Sequence, residues 1–236
     1  MLPAILVAMI AVSAVVLSWR TGPKIDPFDP ARQRTERTSG GNPLPNTLSD
    51  YREGDALPIL GNREVVDGET VYATIADFAF VNQNGDTITN ETFAGRAYLV
   101  DFFFLSCPTI CPKVTKQMLR LHDEFRDDDR VLLLAHTVDP KRDTPERLRQ
   151  YADNLDVSAD KWHFVTGDQD ELYAIADDYF SIAIENPDAP GGFDHSGRII
   201  LVDAQGRVRS FANGTNAEEV TRLVADVRLL LEEMEG

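Results

Sequence analysis

Cysteine is almost absent: the 236 residues hold two, Cys107 and Cys111. A disulfide between them would close one short loop and remove little entropy from so long an unfolded chain. Basic residues are also scarce, 23 Lys and Arg against 39 Asp and Glu, for a formal charge of −16. That balance argues against nucleic acid or an anionic membrane surface as the main partner and makes cationic species the natural visitors. No internal repeat is visible. Long apolar runs are confined to one, residues 2–19, which carry no charged side chain and stop at Arg20. This stretch is just long enough to cross a bilayer as a helix. Its start lacks the basic side chains of a secretory signal, so an uncleaved anchor over 1–20 is favoured over a cleaved leader. No cysteine follows it to carry a lipid. Arg20 and Lys24 lie after the span, but long domains are exported despite that bias, so the remainder is expected on the exported side.

Residues 21–56 are rich in Pro, Gly, Ser, Thr and Arg without apolar periodicity, as in a flexible linker. A globular domain is expected over 57–236. Short strands are predicted at 71–75 and 78–81, with Asn84-Gly85 turning the chain into 87–89. The aromatic run 98–104 reads as a buried central strand. Beyond it Pro112 opens a helix with Val114, Met118, Leu121 and Phe125 on one face. Residues 131–138 form a continuous apolar run, as in a strand covered on both faces. Thr144 and Pro145 start a helix carrying Leu148, Tyr151, Ala152 and Leu155. After a strand at 162–165, Asp168 with Glu171 and Asn216 with Glu219 are capping-box pairs that open two more helices. Between them a Gly- and Pro-rich loop, 185–194, leads through His195 to strands at 198–202 and 208–211. Strands alternating with single helices indicate an α/β fold, a mixed sheet with helices on both faces.

The chemistry concentrates at 107–112. Cys111 falls at a helix N-terminus, where backbone N–H groups and the macrodipole favour thiolate, so both sulfurs are expected to be reactive with lowered pKa. A spacing of four is about one helical turn and brings the sulfurs to one side of the strand-to-helix junction. A disulfide or a shared soft metal ion is then geometrically possible. A structural disulfide, two unpaired core cysteines and a zinc site compete with that reading; a structural zinc would want a fourth protein ligand. The junction resembles the thioredoxin arrangement, with three intervening residues where redox enzymes usually have two.

His195, 84 residues beyond Cys111, is the candidate third donor. Two thiolates and an imidazole suit copper as Cu(I) or Cu(II). His122 is expected on the exposed part of the first helix, His163 in a structural role, and His136 either as a core histidine with satisfied hydrogen bonds or as a support behind the ligands. Asp194 is placed by adjacency alone, either to orient the imidazole of His195 or to add to a negative entrance for copper.

Three motifs in order carry a family resemblance: Cys107-Pro108-Thr109-Ile110-Cys111-Pro112 after an aromatic strand, Thr137-Val138-Asp139-Pro140 with Arg142-Asp143-Thr144-Pro145, and Asp194-His195-Ser196 before Ile199-Ile200-Leu201-Val202. Together they resemble the Sco/SenC family over roughly residues 57–232. The resemblance implies a membrane-anchored, thioredoxin-like copper protein that helps assemble the CuA centre of cytochrome c oxidase. It implies Cys107, Cys111 and His195 as copper ligands, a reversible Cys107–Cys111 disulfide, and as partners a copper donor and the CuA-bearing oxidase subunit. Thr109 stands where many relatives have an acidic residue. The rival expectation is a membrane-anchored thiol-disulfide oxidoreductase in which Cys107 attacks and Cys111 resolves.

Overall fold

The computed structural model describes residues 56–235. The expected anchor and most of the expected linker lie outside the described residues, and among those described no helix is long and apolar enough to cross a membrane.

The described residues are built on a seven-stranded mixed sheet. Its centre is β5 (Ala97–Phe103) and β6 (Val131–Thr137), both wholly buried and paired in parallel from Ala97 against Val131 to Phe103 against Thr137. The apolar runs that mark them in the sequence are continuous because helices cover both faces. Parallel β7 (Trp162–Thr166) extends one side, followed by antiparallel β3 (Ala79–Asn82) and β4 (Thr87–Thr89). On the other side lie antiparallel β10 (Arg198–Val202) and β11 (Val208–Asn213). The expected mixed sheet with helices on both faces is therefore present.

Among the described residues four α-helices pack on this sheet: α1 (Cys111–Glu124), α2 (Pro145–Leu155), α3 (Gln169–Asp178) and α4 (Ala217–Glu235). Tyr151 of α2 stacks on Phe103 at 5.8 Å and shares a 2.9 Å hydroxyl bond with Thr115 of α1, so α1 and α2 cover one face. Tyr179, which ends α3, packs against Phe102 and His136 on the other. The predicted pairs cap their helices on one side only: Asp168 accepts from the Asp170 and Glu171 N–H groups, and Asn216 from those of Glu218 and Glu219, while Glu219 accepts from the Asn216 side-chain amide and the Asn213 N–H rather than closing a capping box. Thr144 sits at the start of α2 but makes no capping bond with its side chain.

Two hairpins depart from the sequence reading. β1 (Arg63–Val66) and β2 (Glu69–Tyr72) pair around Asp67-Gly68, both with positive φ, and lie almost wholly exposed. An Asp-Gly turn signals this hairpin, but its strands lack the alternation that burial on one side imposes. β8 (Ala183–Glu185) and β9 (Phe193–His195) form the second, where a loop is expected. His122 is buried rather than exposed, 6.2 Å from the Trp162 ring, because it lies one turn after Met118 on the apolar face of α1.

Candidate metal centre

Strand β5 runs out at Phe103, and residues 104–110 carry the chain into α1. Two tethers hold this loop. The Cys107 N–H donates to the Phe104 carbonyl at 3.2 Å, and the Leu105 N–H donates to Oδ2 of Asp143 at 3.1 Å. The same oxygen accepts the Thr137 hydroxyl at 2.6 Å, so the end of β6 and the turn before α2 grip the loop that bears Cys107. Sequence reasoning singles out Thr137 and Asp143 only as parts of a motif. Their role needs the register that sets Phe103 beside Thr137.

Cys111 is the first residue of α1, with Pro112 next to it where a missing N–H costs nothing. His195 ends β9, and its Nε2 lies 3.4 Å from Cys111 Sγ and 3.6 Å from Cys107 Sγ. The three donor atoms all fall within 4.8 Å of one another, and no other group of three or more His, Cys, Asp or Glu among the described residues does so. The ring of Phe104 stands edge-on to the imidazole, 5.5 Å between centroids. The turn of the β8–β9 hairpin folds over Phe104 and Pro108: a Cβ on Gly191 would stand 2.7 Å from the Phe104 ring.

The two thiols differ in a way the sequence does not anticipate. Burial pushes the Cys107 thiol up, but the Thr109 backbone N–H and hydrogen bonds from Cys111 outweigh it and leave the pKa below the ordinary thiol value. Burial also pushes Cys111 up, and there the hydrogen bond at the Phe104 backbone is too weak to compensate, so its pKa lies well above ordinary. The expectation that both sulfurs have lowered pKa thus fails for Cys111. A helix N-terminus is worth about 2 kcal/mol at most, whereas burial can move a pKa by several units. The exposed areas of the two residues, 8% and 6%, hardly differ; the distinction lies in how far hydrogen bonds offset burial at each sulfur.

Burial holds the His195 imidazole below its usual pKa, against the Phe102 carbonyl and the Asp194 charge, which favour the cation. Its Nδ1 is buried without a hydrogen-bond partner, so the carbonyl approaches without bonding geometry. Asp194 does not orient the ring: it is exposed and accepts the Asn186 amide at 2.6 Å. The other histidines stand apart. His136 is fully buried among Phe78, Phe80, Phe102 and Tyr179 with neither ring nitrogen hydrogen-bonded, so it is not the satisfied core histidine expected, and His163 lies 3.4 Å from the Asn82 amide.

A mixed α/β sheet that ends in two thiols and gathers a distant imidazole onto them defines a dithiol–imidazole protein of thioredoxin-like architecture. A family profile described as SCO1/SenC matches residues 67–232, and the chain belongs to that family. The SCO1 protein homolog of Bacillus subtilis is 31% identical over 156 residues, which cover 65% of this chain and 81% of the relative. The solved structure of BsSco, described with a disulfide switch and as a member of the Sco family of cytochrome c oxidase assembly proteins, is 30% identical with a TM-score of 0.59, covering 66% of this chain and 92% of that one. ScoI of Bradyrhizobium japonicum, solved with copper bound, is 28% identical with a TM-score of 0.55, covering 67% and 99%.

Proposed function

We propose that this protein carries copper on Cys107, Cys111 and His195 and delivers it to the CuA site of cytochrome c oxidase. The observation that carries the reading is the approach of one imidazole nitrogen to two sulfurs at 3.4 and 3.6 Å. An ion bonded at about 2.0–2.3 Å, the lengths known for zinc with nitrogen and sulfur, separates its donors by similar distances. Thiolates are soft enough for Cu(I), and a neutral imidazole helps retain Cu(II). Copper-bound ScoI and the oxidase-assembly role stated for BsSco point the same way. A closed structural zinc site needs four ligands, whereas three leave a position for an incoming donor, as transfer requires.

In this reading the chain's own groups divide the work. Cys107, the more acidic thiol, ionises first and captures the ion. Cys111 and His195 close around it, and the Phe104 ring and hairpin turn shield one side. Residues 2–19 anchor the chain, 21–56 tether it, and the domain over 57–236 works on the exported side of the membrane, periplasmic in a bacterium, where a copper donor loads it.

Titration of the reduced full chain with copper, followed by absorption and EPR, tests the proposal. A thiolate-to-copper charge-transfer band that disappears in Cys107→Ser, with affinity sharply reduced in His195→Ala, is expected. Wild-type copper binding in His195→Ala would overturn the three-ligand site.

A second reading has its own support in the unequal thiols, since a lowered pKa at Cys107 beside a raised one at Cys111 suits attack by the first and resolution by the second. The protein would then prepare the CuA cysteines by reducing their disulfide. His195→Ala separates the two: oxidase assembly that survives this change, with disulfide exchange intact, favours the reductant.

A further inference from the structure

Beside the two sulfurs an apolar groove opens between α1 and α2, floored by Leu105, Leu119, Tyr151 and Leu155 and reaching Cys107 and Cys111 at one end. Its volume, about 330 Å³, is at the lower end for small-molecule pockets, but it lacks the convergent polar groups that orient such a ligand. The Thr115 hydroxyl already pairs with Tyr151. Lys116 lines the groove, and Lys113 is exposed one turn earlier on the same helix. Neither forms an ion pair with the described residues, whereas Lys141, Arg142, Arg147 and Arg228 each do. From Phe102 to His122 the chain holds no acidic residue at all, in a protein whose acids outnumber its bases 39 to 23.

We propose that this groove is the docking surface for the copper acceptor, a protein presenting an apolar ridge flanked by carboxylates beside its own copper donors. The inference rests on the copper-carrying reading above. Ligand exchange needs the acceptor's donor atoms within reach of the ion while Cys107 and Cys111 still hold it, and the groove is where an acceptor's backbone can lie that close. Each copper–sulfur bond broken here is replaced by a bond to the acceptor without change of oxidation state. The proton that an acceptor thiol gives up is matched by the one a released thiolate takes up. Lys113 and Lys116 steer a carboxylate-flanked ridge into place on a molecule whose overall charge would repel it.

The test uses the copper-loaded full chain in detergent and, as probe, a purified CuA-bearing oxidase subunit stripped of copper. Transfer is followed by CuA absorption in stopped flow. In K113E/K116E the association rate is expected to fall about 10-fold at low salt, the deficit closing above roughly 0.5 M as the charges are screened. Leu119→Asn should slow transfer at every salt concentration. Copper affinity of the isolated variants should stay at the wild-type value. Wild-type transfer rates in both variants at low salt would overturn the docking surface, as would a changed copper affinity, which would place the lysines' effect on the ion itself. A wild-type protein that binds copper but never yields it to the probe would instead overturn the delivery reading beneath it.

Discussion

Gly191 rests on the ring of Phe104 with no room for a side chain: a Cβ would stand 2.7 Å from Cε2 and 2.8 Å from Cζ, and 3.2 Å from the Pro108 Cδ. The hairpin that delivers His195 is thereby seated on the loop that delivers Cys107. Gly192, next along the turn, has a similar positive φ of 91° but nothing within 4 Å of its missing Cβ. Both alanine variants bear the backbone strain of a left-handed residue, and only Gly191→Ala also lifts the hairpin. Copper affinity by competition with a chelator is expected to fall about 10-fold or more in Gly191→Ala, the scale seen for residues that position metal ligands. It should stay near wild type in Gly192→Ala. Equal losses would show that the turn's backbone, not its contact with Phe104, sets the position of His195.

Asp143 fastens the Cys107 loop through one carboxylate oxygen shared by Thr137 and Leu105. Asp143→Ala leaves the buried Thr137 hydroxyl proton without an acceptor, although its oxygen still accepts the Asp139 N–H, and leaves the half-buried Leu105 N–H unpaired; it is expected to cost about 2–4 kcal/mol in urea denaturation. Thr137→Val, which keeps the shape but removes the hydroxyl that donates to Asp143 and accepts the Asp139 N–H, should cost about 1–3 kcal/mol. In both, amide hydrogen exchange of Leu105 should accelerate more than that of the β5 core. Exchange rising uniformly over the sheet would assign Asp143 a global role.

Unequal thiol pKa values predict an order of modification. In the reduced, metal-free chain near neutral pH, iodoacetamide should label Cys107 first, because alkylation follows the thiolate fraction. Cys111 should stay largely unlabelled in Cys107→Ser until the pH is raised well above the ordinary thiol range. Mass spectrometry of the peptide carrying both residues reads the order. Labelling of Cys111 at a comparable rate would mean that the helix N-terminus governs that sulfur after all.

Asp101 lies fully buried in β5, and burial, opposed by its own backbone hydrogen bond, raises its pKa from 3.8 to about 7. The folded state therefore keeps a proton that the unfolded chain gives up above about pH 4. This group's effect on stability is most favourable below that pH, weakens as pH rises through the interval to about 7, and levels off beyond. Between pH 5 and 8 the loss amounts to about 3 kcal/mol. Asp226 and Asp143, also raised by burial, slope the same way, so the informative quantity is the difference between wild type and Asp101→Asn. That difference should narrow or reverse in favour of the variant as pH rises. Parallel denaturation profiles across the range would show that Asp101 is ionised at pH 5 in the folded protein.

Much of this architecture was legible in the residues. Apolar runs marked β5 and β6 because strands buried on both faces need no polar alternation, and the capping pairs at Asp168 and Asn216 located their helices because each satisfies backbone donors locally. The β8–β9 hairpin was not legible. It has three residues per strand, and Pro187, Pro190, Gly191 and Gly192 read as loop chemistry whether or not the flanks pair. His122 was misassigned to the surface although its spacing from Met118 places it on the apolar face.

The amino-acid sequence by itself determined that two thiols stand at the mouth of a strand-to-helix junction, because Pro112 and the periodicity behind it act within a few residues. Tertiary structure alone decided how the donors are brought together and how the two sulfurs differ. Nε2 of His195 comes to Cys111 across 84 residues only because β9 pairs with β8 and its turn seats on Phe104. The opposite displacement of the two thiol pKa values depends on whether hydrogen bonds outweigh burial, as they do at Cys107 and do not at Cys111, and burial is a property of the whole fold rather than of any local run of residues.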